Sequence, residues 1–213
     1  MTASMNWVEV SIETADHGRL QAFWRRGTRG AVLLAHGRVF DAESFRPYGE
    51  VLAADGYTVM RINFRGYHDS TSGRSGPGAQ HEDVLAGARW LETTTGQRVV
   101  GLGASMGGGA VFRAAVQDAD QFAAIVGWSP VPISADEARA LHLPKLVVWS
   151  TEEPMAGALA FYYEQLADPK RQHLFKGDAH AQKIWAGPRR AALTQIVAGF
   201  LTEVLPAGVS KSG

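Results

Sequence analysis

An α/β fold is what the sequence predicts: a mostly parallel central sheet of about eight strands with helices on both faces. Short apolar runs alternate with longer amphipathic stretches along almost the whole chain. The runs are apolar at consecutive positions, as strands covered on both faces must be. Size and composition agree. At roughly 100 to 200 residues per domain, 213 residues, 46% of them hydrophobic and 20% charged, favour one compact domain over 1–213. A domain of that size hides about 70% of the surface of its unfolded chain and needs neither disulfides nor a structural metal to fold.

Taken in order, Trp7 to Thr14 and Arg19 to Arg26 alternate in side-chain character. Ala15-Asp16-His17-Gly18 between them supplies turn chemistry, so the pair reads as an antiparallel hairpin. The buried-strand pattern then appears at Ala31 to Ala35, Thr58 to Asn63, Val99 to Ala104, Ala123 to Trp128, Leu146 to Ser150 and Gln172 to Phe175. Between these runs, Glu43 to Asp55 gathers Phe45, Tyr48 and Leu52 on one helical face, and His81 to Glu92 gathers Val84, Leu85, Ala88 and Leu91. A further helix is expected over Met106 to Gln117. The last helix has the clearest stripe, with Leu193, Ile196, Val197, Phe200, Leu201 and Val204 at helical spacing and Pro206 as its stop. Residues 207–213 are small or polar and read as a flexible tail.

Composition excludes several classes of function. With no Cys there is no disulfide framework, thiolate zinc site, iron-sulfur cluster or thiol nucleophile. Lys and Arg number 21 against 21 Asp and Glu, so no basic field exists for a phosphate backbone or an anionic membrane, and nucleic acid is not an expected partner. Met1 to Trp7 lack the charged and apolar segments of a secretory signal. The apolar runs fall far short of the ~20 residues that cross a bilayer. A cytoplasmic protein without a membrane span is the expectation.

The densest chemical signal is Val99-Val100-Gly101-Leu102-Gly103-Ala104-Ser105-Met106-Gly107-Gly108-Gly109, a strand running through G-x-S-x-G into a helix. A serine on so sharp a turn must take a strained backbone, and its hydroxyl is pushed clear of the sheet edge. Gly103 and Gly107 leave room for the chain to fold back. The helix N-terminus favours negative charge, with the Met106 N–H the nearest donor to an oxyanion formed at Ser105. A dinucleotide fingerprint fails, because its third Gly would stand at position 106, which is Met, and no phosphate-binding G-x-x-x-x-G-K-[ST] loop exists.

A serine hydroxyl needs a base to take its proton. Of seven His, His180 lies in Gly177-Asp178-Ala179-His180 just past a predicted strand, and His36 lies in Ala35-His36-Gly37-Arg38 at the end of another. Leu146 to Ser150 runs into Thr151-Glu152-Glu153-Pro154, which offers two carboxylates. Glu153 is preferred, because Pro154 holds it in extended geometry, aimed at the loop bearing His180. Glu152 and Asp178 remain the competing acids.

Ser105, Glu153 and His180 thus follow one another in the order Ser, acid, His, each just after a separate predicted strand. In this the sequence resembles the alpha/beta-hydrolase superfamily from Val32 to Phe200, and among its members the small lidless serine esterases and dienelactone-hydrolase-like proteins. Leu33-Leu34-Ala35-His36-Gly37 is similar to that family's His-Gly oxyanion segment, and Asn63-Phe64-Arg65-Gly66-Tyr67-His68-Asp69-Ser70 to its D-x-R-G-x-G-x-S loop. Asn63 and His68 depart from the usual Asp and Gly, and Glu153 stands where many members have Asp. The resemblance implies Ser105 as nucleophile, His180 as general base then acid, and Glu153 as the group that orients the imidazolium. It implies backbone oxyanion donors at Met106 and at Arg38 or Val39, and a structural His36. Phe40, Tyr67 and Trp128, with Arg38 and Met106, are expected to line the mouth of the site.

Only Ser129 to Lys145 separate the fourth and fifth of the buried strands before the acid and base loops, room for one short helix around Ser134 to Leu141 and for no cap domain. An open site follows. The expected function is hydrolysis of small or short-chain carboxylic esters through an acyl-enzyme on Ser105, with neither cofactor nor metal. The alternatives are an amidase or peptidase on the same scaffold, and a noncatalytic binding module.

Overall fold

The computed structural model describes residues 6–206; the tail expected over 207–213 lies outside them. The chain opens with the hairpin β1 (Val8–Glu13) and β2 (Arg19–Arg25), paired antiparallel with Val8 opposite Trp24 and Glu13 opposite Arg19. In its turn the Thr14 N–H donates to the Gly18 carbonyl at 2.9 Å, and the Thr14 hydroxyl oxygen accepts from the Gly18 N–H at 2.7 Å. β2 pairs antiparallel with β4 (Thr58–Ile62). The rest of the sheet is parallel: β3 (Ala31–Ala35), β5 (Val99–Ala104), β6 (Phe122–Trp128), β7 (Lys145–Ser150) and β8 (Lys170–Phe175) complete an eight-stranded order β1-β2-β4-β3-β5-β6-β7-β8. β3 through β7 are buried at every residue, whereas the edge strand β8 shows Arg171, Gln172 and Leu174 to solvent. Charged and polar side chains on a free edge discourage pairing with another chain.

Side-chain alternation along the strands feeds two cores. Val32, Leu34, Val100, Leu102 and Val148 pack beneath α1 (Arg46–Ala54), α6 (Gln182–Ala186) and α7 (Arg190–Val204) through Tyr48, Leu52, Trp185, Val197 and Leu201. Leu33, Met60, Ile62 and Val147 face the opposite way. They meet α2 (Gln80–Thr95), α3 (Met106–Gln117), α4 (Ala135–Ala140) and α5 (Ala156–Gln165) through Leu85, Leu91, Val111, Phe112, Ala138, Leu159 and Tyr162. The interval between β6 and β7 holds the six-residue α4, started by a capping box of Ser134 and Glu137. No helix among the described residues is long and apolar enough to cross a membrane.

Three local features depart from expectation. The helix expected over 43–55 is divided: Asp41 caps a 3-10 turn over Ala42–Phe45 by accepting from the Glu43 and Ser44 N–H groups, and α1 follows with Pro47 in its first turn. α5 was not anticipated, because it buries only Leu159, Tyr162 and Tyr163 and exposes Phe161, too short a stripe to give a helical period. The five-residue α6 has no stripe of its own.

Arg65, in the loop after β4, ties three parts of the fold together. Its buried guanidinium meets Asp83 of α2 at 2.7 Å and Asp16 of the hairpin turn at 2.9 Å, and donates to the Gly76 carbonyl at 2.9 Å. Removing one partner of a buried ion cluster leaves the others' charge unpaired, so Arg65→Met is expected to cost about 3–5 kcal/mol in urea unfolding at neutral pH. Hydrogen bonding to Arg65 holds the Asp16 carboxyl well below the usual carboxylate range. A depressed value means stability that is full above the unfolded carboxylate pKa of about 3.9 and fades as pH falls below it. The deficit of Arg65→Met should therefore narrow in acid; a deficit that widened below about pH 4 would contradict this assignment.

Candidate active site

Ser105 stands between β5 and α3 at φ 51° and ψ −114°, in the left-handed half of the map that a serine rarely enters. Such a conformation costs on the order of 1–3 kcal/mol and persists only where its surroundings fix it. Here the Ser105 N–H donates to the Trp128 carbonyl at 2.9 Å, and the Ser105 carbonyl accepts from the Gly109 and Val131 N–H groups, each at 3.0 Å. The flanking glycines are required by contact: a Cβ on Gly103 would run into the Gly107 carbonyl, and one on Gly107 into the carbonyl of Ala35. As the first residue of α3, Met106 has an N–H without an intrahelical acceptor.

His180 lies beyond β8, and its imidazole is about one-third exposed, at 33%. The residues on both sides are pinned. The Ser150 hydroxyl donates to the Ala179 carbonyl at 2.6 Å, and the Ala181 N–H donates to Ser129 Oγ at 3.0 Å. So held, His180 Nε2 is 3.0 Å from Ser105 Oγ and Nδ1 is 3.2 Å from Glu153 Oε2. With a carboxylate at Nδ1, the ring carries its proton there, and Nε2 accepts from the serine hydroxyl. Glu153 has no exposed side-chain surface. Its Oε2 also accepts from the Ser129 hydroxyl at 2.8 Å, while Oε1 is buried without a hydrogen-bond partner among the described residues. Glu152 and Asp178 are both exposed. Neither carboxylate takes a hydrogen bond or ion pair among the described residues.

The segment after β3 is fastened as firmly. His36 is fully buried; its Nε2 accepts from the Phe64 N–H at 3.2 Å, so Nδ1 bears the proton and donates to the Gly37 carbonyl at 2.9 Å. Burial pushes its pKa down and favours this neutral form. Both ring nitrogens are thus engaged in holding the loop. The Gly37 N–H donates to Gln182 Oε1 at 2.8 Å, and Gln182 Nε2 donates to Ser44 Oγ at 2.6 Å. The Tyr67 hydroxyl donates to the Arg38 carbonyl at 2.6 Å. Arg38 and Val39, exposed at the tip, keep N–H groups with no acceptor among the described residues.

The expected lining residues divide. Phe40, Tyr67 and Met106 are half-buried and Arg38 is exposed. Trp128 is a correction: at 1% exposure its ring packs against Phe45 and Tyr48, 5.6 and 5.0 Å away between centroids, in the core under α1 rather than at a mouth. As the last residue of β6 it shares the face of Ala124 and Val126, which is the face covered by α1, α6 and α7. The two departures in the loop after β4 are accommodated. Asn63 Oδ1 accepts from the Ala42 N–H and its amide donates to Gln21 Oε1, a donor role that an ionised Asp lacks; His68 takes φ 48° where Gly is usual, with Nε2 2.9 Å from Asp41.

Sequence reasoning missed Ser129, Ser150 and Gln182. For Ser129 the available signal was a serine directly after a buried strand; for Gln182 it was only a polar residue two positions past His180.

Residues 26–153, more than half of the chain, match the family model described as "Serine aminopeptidase, S33" (Hydrolase_4). No curated protein sequence matches the chain. Solved structures agree in fold. An esterase of Pyrococcus furiosus is 20% identical, with 95% of this chain and 94% of that one covered at a TM-score of 0.82. A dienelactone hydrolase of Anabaena variabilis is 22% identical, with 94% and 99% covered and a TM-score of 0.80. A thermophilic esterase of Thermogutta terrifontis is 17% identical, with 93% and 99% covered and a TM-score of 0.73. With a strand running through a glycine-flanked, left-handed serine into a helix, the fold of these hydrolases and the match over 26–153, the chain belongs to the S33 serine aminopeptidase family of alpha/beta hydrolases.

Proposed function

We propose that the protein hydrolyses carboxylic esters of small or short-chain acyl groups through an acyl-enzyme on Ser105. The observation that carries this reading is the unbroken relay from Ser105 Oγ to His180 Nε2 at 3.0 Å and from Nδ1 to the buried Glu153 at 3.2 Å. Ser105 Oγ attacks the ester carbonyl as its proton passes to Nε2, and Glu153 stabilises the imidazolium that forms. The carbonyl oxygen becomes an oxyanion that the Met106 N–H and the N–H of Arg38 or Val39 receive. Collapse breaks the bond to the alcohol, which leaves with the proton from His180. Water then repeats the sequence on the acyl-enzyme, losing a proton to His180 and releasing the acid and free Ser105.

The short β6–β7 interval supports small substrates, because α4 alone gives little apolar surface to grip a long acyl tail. On a series of p-nitrophenyl esters, kcat/KM is expected to be highest for short acyl chains, and a clear optimum at long chains would overturn the short-chain assignment. The family description favours one second reading, cleavage of an amino-terminal amide, which needs His180 to protonate a poorer leaving group. Turnover of amino-acid p-nitroanilides above that of the matched esters would select it. Labelling of Ser105 by a fluorophosphonate is expected under either reading. Failure of the folded protein to label would instead favour a noncatalytic binder.

A further inference from the structure

We propose that Ser129 is a positioning residue that locks the acid and the base of the site to one another. The inference rests on the Ser105–His180–Glu153 reading and goes beyond it by adding a residue that touches no substrate. Ser129 follows β6 directly, has no exposed surface and adopts φ 44°, a backbone position as unusual for serine as that of Ser105. Its N–H donates to the Val148 carbonyl at 2.7 Å, which fixes it against β7. Its hydroxyl has one proton. The oxygen accepts from the Ala181 N–H at 3.0 Å, so the proton is free to go to Glu153 Oε2 at 2.8 Å.

A single atom therefore holds the carboxylate on one side and, on the other, the residue next to His180. Glu153 makes this matter. Among the described residues its Oε1 is buried without a partner, and its charge is met through Oε2 by two donors: the Ser129 hydroxyl and His180 Nδ1. Hydrogen bonds to a buried charge are stronger than neutral ones, and taking one away unbalances the other. The strained φ of Ser129 has an account in the same terms. Left-handed backbone at 129 turns the chain back sharply after β6 and delivers the hydroxyl between two loops that β7 and β8 bring up from elsewhere in the sheet.

The test is a double-mutant cycle read by kcat on a p-nitrophenyl ester and by the rate of fluorophosphonate labelling. Ser129→Ala keeps the Cβ and removes the hydroxyl; Ser129→Gly removes the hydroxyl and relieves the backbone, so at least one folded variant is available. Both are expected to lower kcat by about 10- to 100-fold, the usual effect of losing a partner that orients a reacting group, with KM within about twofold. In a Glu153→Gln background the same substitutions should cost at least about threefold less than in the parent, because the part of the effect carried by the carboxylate is already gone and only the Ala181 contact is left to lose. A merely structural role would give equal losses in both backgrounds and would overturn the inference, as would folded Ser129→Ala and Ser129→Gly proteins with unaltered kcat. The underlying reading fails separately, through a nearly normal Glu153→Gln enzyme whatever Ser129 does.

Discussion

Ser105→Ala is expected to lose about 10⁶-fold in ester turnover if the chemical step is limiting, and to lose fluorophosphonate labelling altogether. The loss should fall on kcat, because the hydroxyl makes the bond that defines the reaction, while the groups that hold the substrate stay in place. The fold should be indifferent. Alanine at φ 51° carries the same backbone cost as serine, and the three backbone hydrogen bonds that fix residue 105 use no side-chain atom. An unchanged thermal transition with activity gone would assign Ser105 to chemistry. Residual turnover within tenfold of the parent would place the nucleophile elsewhere, and His180 Nε2 would need another hydroxyl within reach.

Glu153→Gln is expected to cost about 10⁴-fold in kcat with the structure preserved. An amide at this position can present its NH₂ to His180 Nδ1, which reverses the tautomer and leaves Nε2 carrying the proton it should accept. The substitution also removes the charge that stabilises the imidazolium in a setting where the side chain has no exposed surface and water screens nothing. Glu152 provides the comparison. It is exposed and its carboxylate makes no hydrogen bond or ion pair among the described residues, so Glu152→Gln should cost less than about tenfold through screened electrostatics alone. Asp178→Asn should behave the same way. A crippled Glu152→Gln or Asp178→Asn beside a healthy Glu153→Gln would transfer the acid's role.

What could be read from the sequence was what is local. The hairpin was legible because its turn chemistry lies between two alternating runs, and β3 through β7 because burial on both faces writes itself as consecutive apolar residues. Ser105 was legible because its strain is created and tolerated by glycines two positions away on either side. His180 and Glu153 followed from standing just past strand ends. Trp128 misled for a related reason: it also ends a strand, but alternation sends its ring into the core, and a strand end does not say which face a side chain takes. Ser129 and Gln182 stayed hidden because what distinguishes them is the partner. Gln182 meets Gly37 across 145 residues of sequence and Ser129 meets Ala181 across 52, contacts that exist only once the sheet has assembled.

The threefold fastening of the Gly37–Phe40 loop bears on how this site can adapt to a substrate. Gln182 grips the loop from the His180 side, Tyr67 from the other, and His36 from beneath. Opening the loop to admit a bulkier acyl group would strip a buried N–H of its acceptor and pull on the very turn that carries His180. Under the proposed reading, selectivity is then a matter of side chains on a rigid rim. The side chain of Val39, 83% exposed at the tip, can be exchanged without touching any of these bonds, so a library that varies Val39 and Phe40 among residues that keep the backbone N–H should shift acyl preference, whereas lengthening the loop should fail.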